Sequence, residues 1–345
     1  PLTTNHSLLT IQHSPLETPL AMRRVLRRSG QALRRLALVV GLAVAVVPLE
    51  HSRALGQSGS LRDADPLLNP AAEQHSASST APTSPSPVEQ ADWHWSFLPA
   101  TLLWTPPLAS QWAPRLYVLP TTLHNATTQN TIDTAIGGTA GLWRCSPDEL
   151  PDKGFQIDFF AAVFSRFANE HTDVAHDFRF GFPVTFACGA WSGKFGYEHT
   201  SNHLGDEFAH DTGTTHGASH RDEFALALAY RFLDNFRVYG QSAYAPLIAN
   251  ITGNDHRDRW DVGVEWSHYR ATGWLGYPFA AFDAEFRGDE NYHANLTEQI
   301  GWQWRAVDGG RSFRLVLERY DGKSPYGQFI TNNEHWLGIG AFVDF

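Results

Sequence analysis

Cysteine is nearly absent: the 345-residue chain has 2, beside a single methionine. That excludes a disulfide-stapled miniprotein and a Cys-rich zinc module. Basic residues are outnumbered, 26 Lys and Arg against 36 Asp and Glu, and the formal charge of −10 argues against a nucleic-acid binder. Charged residues make up only 18%, below the usual share of about a quarter. Long apolar runs are missing too. The stretch from Leu36 to Val47 falls short of the ~20 residues that a spanning helix needs. With a mean hydropathy of −0.31, a polytopic helical membrane protein is excluded. What the chain has in quantity is aromatic: 12 Trp, 10 Tyr and 22 Phe.

The short apolar run has a different meaning. It follows Met22 and the arginines Arg23, Arg24, Arg27, Arg28, Arg34 and Arg35. A basic segment, an apolar segment and then small residues make a secretory signal, and Ser52-Arg53-Ala54 supplies a cleavage site. The alternative is an amphipathic helix of the mature protein. Residues 1–21 precede the only methionine and read as an upstream artefact or extended leader, so residues 1–56 form one exported leader. Residues 57–92, rich in Ser, Pro, Ala and Gln, read as a disordered linker, and 93–112 as a Trp-rich N-terminal arm.

From about residue 113 the apolar residues recur with period two. Phe224, Leu226, Leu228, Tyr230 and Phe232 share one parity; Ala225, Ala227, Ala229 and Arg231 share the other. Trp260 to Trp266, Phe313 to Leu317 and Leu337 to Phe345 repeat the pattern. Strands of soluble proteins average about five or six residues, whereas a membrane-crossing strand takes roughly 9–11, as these runs do. The spacing predicts an all-β, transmembrane, antiparallel up-and-down barrel of about twelve strands over 113–345. The strands are expected near 113–120, 139–147, 154–167, 177–187, 190–202, 222–233, 235–245, 259–271, 275–287, 293–305, 311–321 and 334–345. Long connections (121–138, 168–176, 203–221, 246–258, 288–292, 322–333) then alternate with short ones (148–153, 188–189, 234, 272–274, 306–310), as in barrels with long outer loops and short periplasmic turns. The terminal Phe345 looks like the signal read by the bacterial barrel-assembly machinery. The expected address is the bacterial outer membrane, with membrane lipid as a partner and a homo-oligomer as an option.

The sharpest local feature is Tyr197-Glu198-His199-Thr200-Ser201-Asn202-His203-Leu204-Gly205-Asp206-Glu207. Residues i and i+2 of a strand point to one face, so His199 and Ser201 share the face of Trp191, Phe195 and Tyr197 and look toward lipid. Polar groups there are costly without partners, so their placement needs an explanation. One explanation is nucleophilic catalysis, with His199 as base and Ser201 attacking an acyl ester. Asp222 shares parity with Phe224 and could orient His199 from the next strand; Glu223, facing the lumen, is second choice. The alternative is a girdle-level His and Ser bonded to each other or to lipid headgroups.

His199-x-Ser201-Asn202 on an outward strand resembles the active-site strand of outer-membrane phospholipase A and of lipid A deacylase. That resemblance implies His199 as base, Ser201 as nucleophile, Asn202 beside it at the substrate, and a third polar residue from the adjacent strand. The chain departs from the pattern in having His203 where Gly or Ala is usual, and a longer loop after it. A second resemblance covers about 93–345: Trp95-Ser96-Phe97-Leu98-Pro99, Leu108-Ala109, Ala113-Pro114-Arg115, Gly154-Phe155-Gln156-Ile157-Asp158, Ser201 with His203-Leu204-Gly205-Asp206-Glu207, and Arg221-Asp222-Glu223. These are similar to the domain-of-unknown-function family 1207, which implies a β-rich envelope protein without an assigned activity.

The segment 199–220 is also rich in His and acid. Calcium on Asp206 or Glu207 is one reading, since the resembled phospholipases include calcium-dependent members; a solvated acidic loop is the other. Cys145 and Cys188 lie beside successive short turns, in a compartment that permits a disulfide but on non-adjacent strands. Arg179, Lys194, Glu265, Arg314 and Glu318 face the lumen, where they could interlock as a plug or line a channel. Three functions stay open: a lipid acyl-ester hydrolase, a non-enzymatic channel or structural barrel, and a metal-binding or adhesive surface protein.

Overall fold

The computed structural model describes residues 92–124, 128–147, 153–168, 172–215, 217, 219–306 and 310–345. The leader and almost all of the linker lie outside the described residues. The described residues form thirteen strands: β1 (Trp93–Phe97), β2 (Leu116–His124), β3 (Thr128–Pro147), β4 (Gly154–Ala168), β5 (Thr172–Cys188), β6 (Trp191–Leu204), β7 (His220–Phe232), β8 (Phe236–Ala249), β9 (Asp258–Trp266), β10 (Tyr277–Arg287), β11 (His293–Arg305), β12 (Ser312–Lys323) and β13 (Asn333–Asp344). A short helix, α1 (Asp206–Thr212), interrupts the connection from β6 to β7. From β2 to β13 each strand pairs antiparallel with the next, and β13 pairs with β2. The wall is therefore a closed barrel of twelve staves, with no free edge around its circumference.

The alternation read in the sequence becomes an inside and an outside. Phe178, Phe180, Phe182 and Val184 of β5 and Phe224, Leu226 and Leu228 of β7 are exposed on the outer face, as lipid contact requires. The residues between them are buried in the lumen, where Arg179, Glu198, Glu223, Arg259, Asp261 and Glu265 sit together. The end at which β6 joins β7 is called the upper mouth; the other, holding the C-terminus, is the lower mouth.

The strands run longer than expected at the upper mouth. The connection expected at 121–138 shrinks to 125–127, because β2 continues to His124 and β3 begins at Thr128. Likewise β5 begins at Thr172 rather than 177. The hydrogen-bond ladder continues there although the outward side chains turn polar, as a strand needs apolar outward residues only at lipid height. At the lower mouth β9 stops at Trp266 instead of 271. Its continuation bends away: Ser267 Oγ bonds Gln303, and His268 Nδ1 lies 3.1 Å from Asn235 Oδ1. Upper and lower connections consequently differ less in length than the sequence suggested.

The segment read as an N-terminal arm does something else. β1 pairs with Trp143–Pro147 of β3, along the same edge that β2 occupies nearer the upper mouth. β1 and β2 thus share one stave, and residues 98–115 between them turn into the lumen. Leu103, Trp104, Leu108, Ala109, Trp112 and Ala113 are buried there. This proline-punctuated segment lacks its own hydrogen-bond ladder, so the wall satisfies it. Arg144 donates to Thr101 O, Arg237 to Thr105 O (2.8 Å) and Arg179 to Trp112 O (3.1 Å), while Leu108 N donates to Glu265 Oε1 (2.7 Å). Gln111 donates to Glu318 Oε1 (3.0 Å) and Trp112 Nε1 to Glu285 Oε1 (3.1 Å). A cavity of only about 50 Å³ remains beside it. The lumen charges expected to plug or line the barrel are interlocked: Arg179 and Lys194 with Glu198, Glu265 with Arg237, and Arg314 with Asp344.

The upper mouth is crossed by residues 324–332. Tyr326 and Ile330 of that connection are buried, and Phe329 packs edge-on against Phe208 of α1. Cys145 and Cys188 are both free thiols, with β4 between their strands.

Candidate functional site

Besides polar side chains around Arg319, Asp321 and His335 on β12 and β13, the outer face carries a patch of polar side chains on β4 to β7 below the upper mouth. The ladder sets its layout: His199 pairs with Phe180 on one side and Asp222 on the other, Ser201 with Phe178 and His220, and His203 with His176. Directly opposed positions share a face, with Cβ atoms about 4.5–5.5 Å apart. The patch is thus a small grid of imidazoles, hydroxyls and carboxylates floored by aromatic rings.

His199 and Asp222 meet, with Nδ1 2.8 Å from Oδ1. Tyr197 Oη donates to the same carboxylate oxygen, and the His199 ring lies 5.0 Å from that of Phe180. Both polar partners are partly exposed, His199 by 24% and Asp222 by 16%. With Nδ1 facing the carboxylate, Nδ1 carries the proton and Nε2 keeps its lone pair for a substrate or nucleophile. Ser201 lies on the same row two positions on, but its hydroxyl lies 3.3 Å from His203 Nε2 rather than against His199. The structure brings His199 and Asp222 into contact and places Ser201 between two imidazoles, bonded to the second.

The other sequence-derived candidates sit elsewhere. Glu223 is inside the lumen, held by Arg259 Nη2 (2.6 Å) and Arg221 Nε (2.6 Å), and cannot reach His199 through the wall. Asn202 also points inward, so it cannot flank the Ser201 hydroxyl. Its Oδ1 accepts from Ser219 Oγ (2.8 Å), its carbonyl accepts from Gln328 Nε2 (3.0 Å), and a Cβ on Gly327 would fall 2.2 Å from its Cγ. Asp206 and Glu207 are exposed in the first turn of α1, and Glu207 Oε2 accepts from the Asp173 amide (3.0 Å). Among the described residues no three His, Cys, Asp or Glu side chains converge as a metal site. Asp206 and Glu207 belong to no such group.

Sequence reading missed a neighbouring cluster. Ser165 Oγ lies 2.7 Å from His176 Nδ1, and His176 Nε2 lies 2.9 Å from Asp173 Oδ2. Parity places Ser165 and His176 outward but puts Asp173 on the opposite face, three residues away. A bulge corrects this: Arg166 pairs with Ala175 and Phe167 with Asp173, leaving Val174 extra and returning Asp173 to the outer face.

These features define a class: a transmembrane β-barrel protein with a filled lumen and a lipid-facing Ser–His patch. The family model for DUF1207, a protein family of unknown function, matches residues 96–345, and the chain belongs to that family. No curated protein matches it by sequence. Among solved structures, outer membrane phospholipase A from Escherichia coli is 11% identical over 69% of this chain and 92% of its own, with a TM-score of 0.44. The KdgM porin is 7% identical over 65% and 97%, with a TM-score of 0.37. An outer membrane channel from Pseudomonas putida F1 is 7% identical over 68% and 97%, also at 0.37. The likeness extends to the outer-membrane barrel form and no further.

Proposed function

We propose that the protein is an outer-membrane hydrolase of lipid acyl esters, with Ser201 as nucleophile, His199 as base and Asp222 as the group that orients it. The observation that carries this reading is the His199–Asp222 contact on the lipid face, which leaves Nε2 free on the row of Ser201. A carboxylate fixing one imidazole nitrogen makes the other a competent proton acceptor. In the resting arrangement His203 holds the Ser201 hydroxyl. Rotation about the Ser201 side-chain bond would transfer that hydroxyl to His199. The substrate would be membrane lipid, reached by lateral diffusion with no passage through the lumen. Export by the leader, delivery through the terminal Phe345 that follows β13, and self-association belong to the same reading.

The test is hydrolysis of phospholipid by the refolded full chain in detergent, with and without calcium. Ser201→Ala is expected to remove the hydrolysis that depends on His199 and Asp222. Equal turnover in wild type and Ser201→Ala overturns the assignment. The filled lumen supports a second reading, a closed structural barrel of the envelope. No hydrolysis of any membrane lipid, together with no conductance in planar bilayers, is its expected signature.

A further inference from the structure

The patch holds a second set of residues with the parts that nucleophilic catalysis needs, two staves away from Ser201. We propose that Ser165, His176 and Asp173 form a distinct esterase site, in which Ser165 is the nucleophile, His176 the base and Asp173 its orienter. The argument is geometric. Ser165 Oγ is 2.7 Å from His176 Nδ1, and His176 Nε2 is 2.9 Å from Asp173 Oδ2. Nε2–H donates to the carboxylate, so the Nδ1 lone pair faces the hydroxyl, the tautomer that proton removal requires. A relay of this kind is recognised by its contacts and roles, and an imidazole can serve it through either nitrogen. At Ser201 the same parts are present but divided between His199 and His203.

Its surroundings are built to hold it. The bulge at Val174 turns Asp173 outward, and the Glu207 carboxylate accepts the Asp173 amide at 3.0 Å, pinning the backbone of that acid. The Phe167 ring stands edge-on to His176 at 6.3 Å. Ser165 is only 8% exposed, whereas the side chains of His176 and Asp173 are 30% and 25% exposed, so the hydroxyl is screened from bulk water under an accessible imidazole.

Height separates the two sites. On a wall whose lipid crossing takes roughly 9–11 residues, Ser201 lies near the upper limit when counted from Trp191. In the ladder His176 opposes His203, two positions further up than Ser201. The Ser165 site therefore sits at headgroup level, which fits a short-chain or single-chain acyl ester approaching from the water side. In the reaction the Ser165 oxygen bonds the acyl carbon while its proton passes to His176. The ester C–O bond breaks and the leaving alcohol takes that proton. Water then releases the carboxylic acid by the reverse relay.

The experiment is covalent labelling of the refolded full chain with a fluorophosphonate, followed by digestion and mass spectrometry. Foldedness is checked by the faster electrophoretic migration of the unheated barrel. An adduct is expected on Ser165, retained in Ser201→Ala, absent in His176→Ala and reduced at least tenfold in Asp173→Asn. Turnover of p-nitrophenyl butyrate is expected to persist in Ser201→Ala and to be lost in Ser165→Ala. A folded wild-type barrel labelled on Ser201 alone overturns the second site and leaves the first intact. Labelling of Ser165 that is unchanged by His176→Ala overturns the relay. No adduct on either serine overturns both assignments, and because this reading needs no variant it holds even where a substitution blocks folding.

Discussion

Asp222 and Glu223 are consecutive residues of β7, and the wall between them divides two chemical worlds. Glu223 faces the lumen and is gripped by Arg221 and Arg259, with Arg179 3.7 Å away. Asp222 faces outward, and its partners there are a tyrosine hydroxyl and an imidazole. Inside, Glu198, Glu223, Glu265 and Asp344 are answered by guanidinium groups, and the lining is packed around residues 98–115. Outside, in the patch on β4 to β7, the carboxylates meet groups that can trade protons. The lumen side uses ionic groups as filling, where removing one partner strands another. On the proposed reading the outer patch uses them as tools, where removing one should spare the fold and stop the chemistry.

The strongest way to break that contrast is at the patch. The double variant Ser201→Ala with Ser165→Ala should lose lipid and soluble ester hydrolysis by on the order of 10⁴-fold, with unchanged gel mobility. Asp222→Asn alone should lower turnover on phospholipid by on the order of 10²–10⁴-fold and leave the unfolding midpoint near wild type. Next comes the opposite experiment one residue along. Glu223→Ala should destabilise the barrel by about 3–5 kcal/mol in urea unfolding, because Arg221 Nε and Arg259 Nη2 lose the carboxylate that they grip. A fully stable Glu223→Ala barrel would mean that the luminal network is dispensable. Smaller again, Leu226→Lys on the lipid side of β7 should cost about 2–4 kcal/mol in bilayers.

A pH dependence extends the comparison to the rim. In the connection 288–292, burial pushes the Glu290 carboxyl up to about 8 against the pull of Arg287, with Glu285 adding to the rise. The folded chain keeps a proton that the unfolded chain loses above its ordinary value of 4.5. Stability should therefore fall as pH rises from about 5 to 8, and Glu290→Gln should flatten that slope.

The fold was legible because a lipid-facing row must be apolar at every second residue, and rows such as Phe224 to Tyr230 record this constraint directly. Strand ends were less legible, since above lipid height the constraint lapses while the ladder continues, as in Thr128–Ile132. The lumen-filling role of 98–115 was hidden: prolines and scattered apolar residues read as an arm, and only the arginines of distant strands reveal what its carbonyls bond. Within the patch, His199 and Asp222 followed from parity alone. Asn202 was placed beside Ser201 by motif analogy, and parity turns it inward. Asp173 escaped because one extra residue, Val174, reverses the parity count between it and His176.

The shared stave has a mechanical consequence. Residues 98–115 are not a cork on a free string: one end continues into β1 and the other into β2, both stitched to β3. Traction on the N-terminal side would have to unzip the five-residue β1 before any load reached the lumen. The barrel therefore behaves as a tube with an internal brace riveted to its own wall.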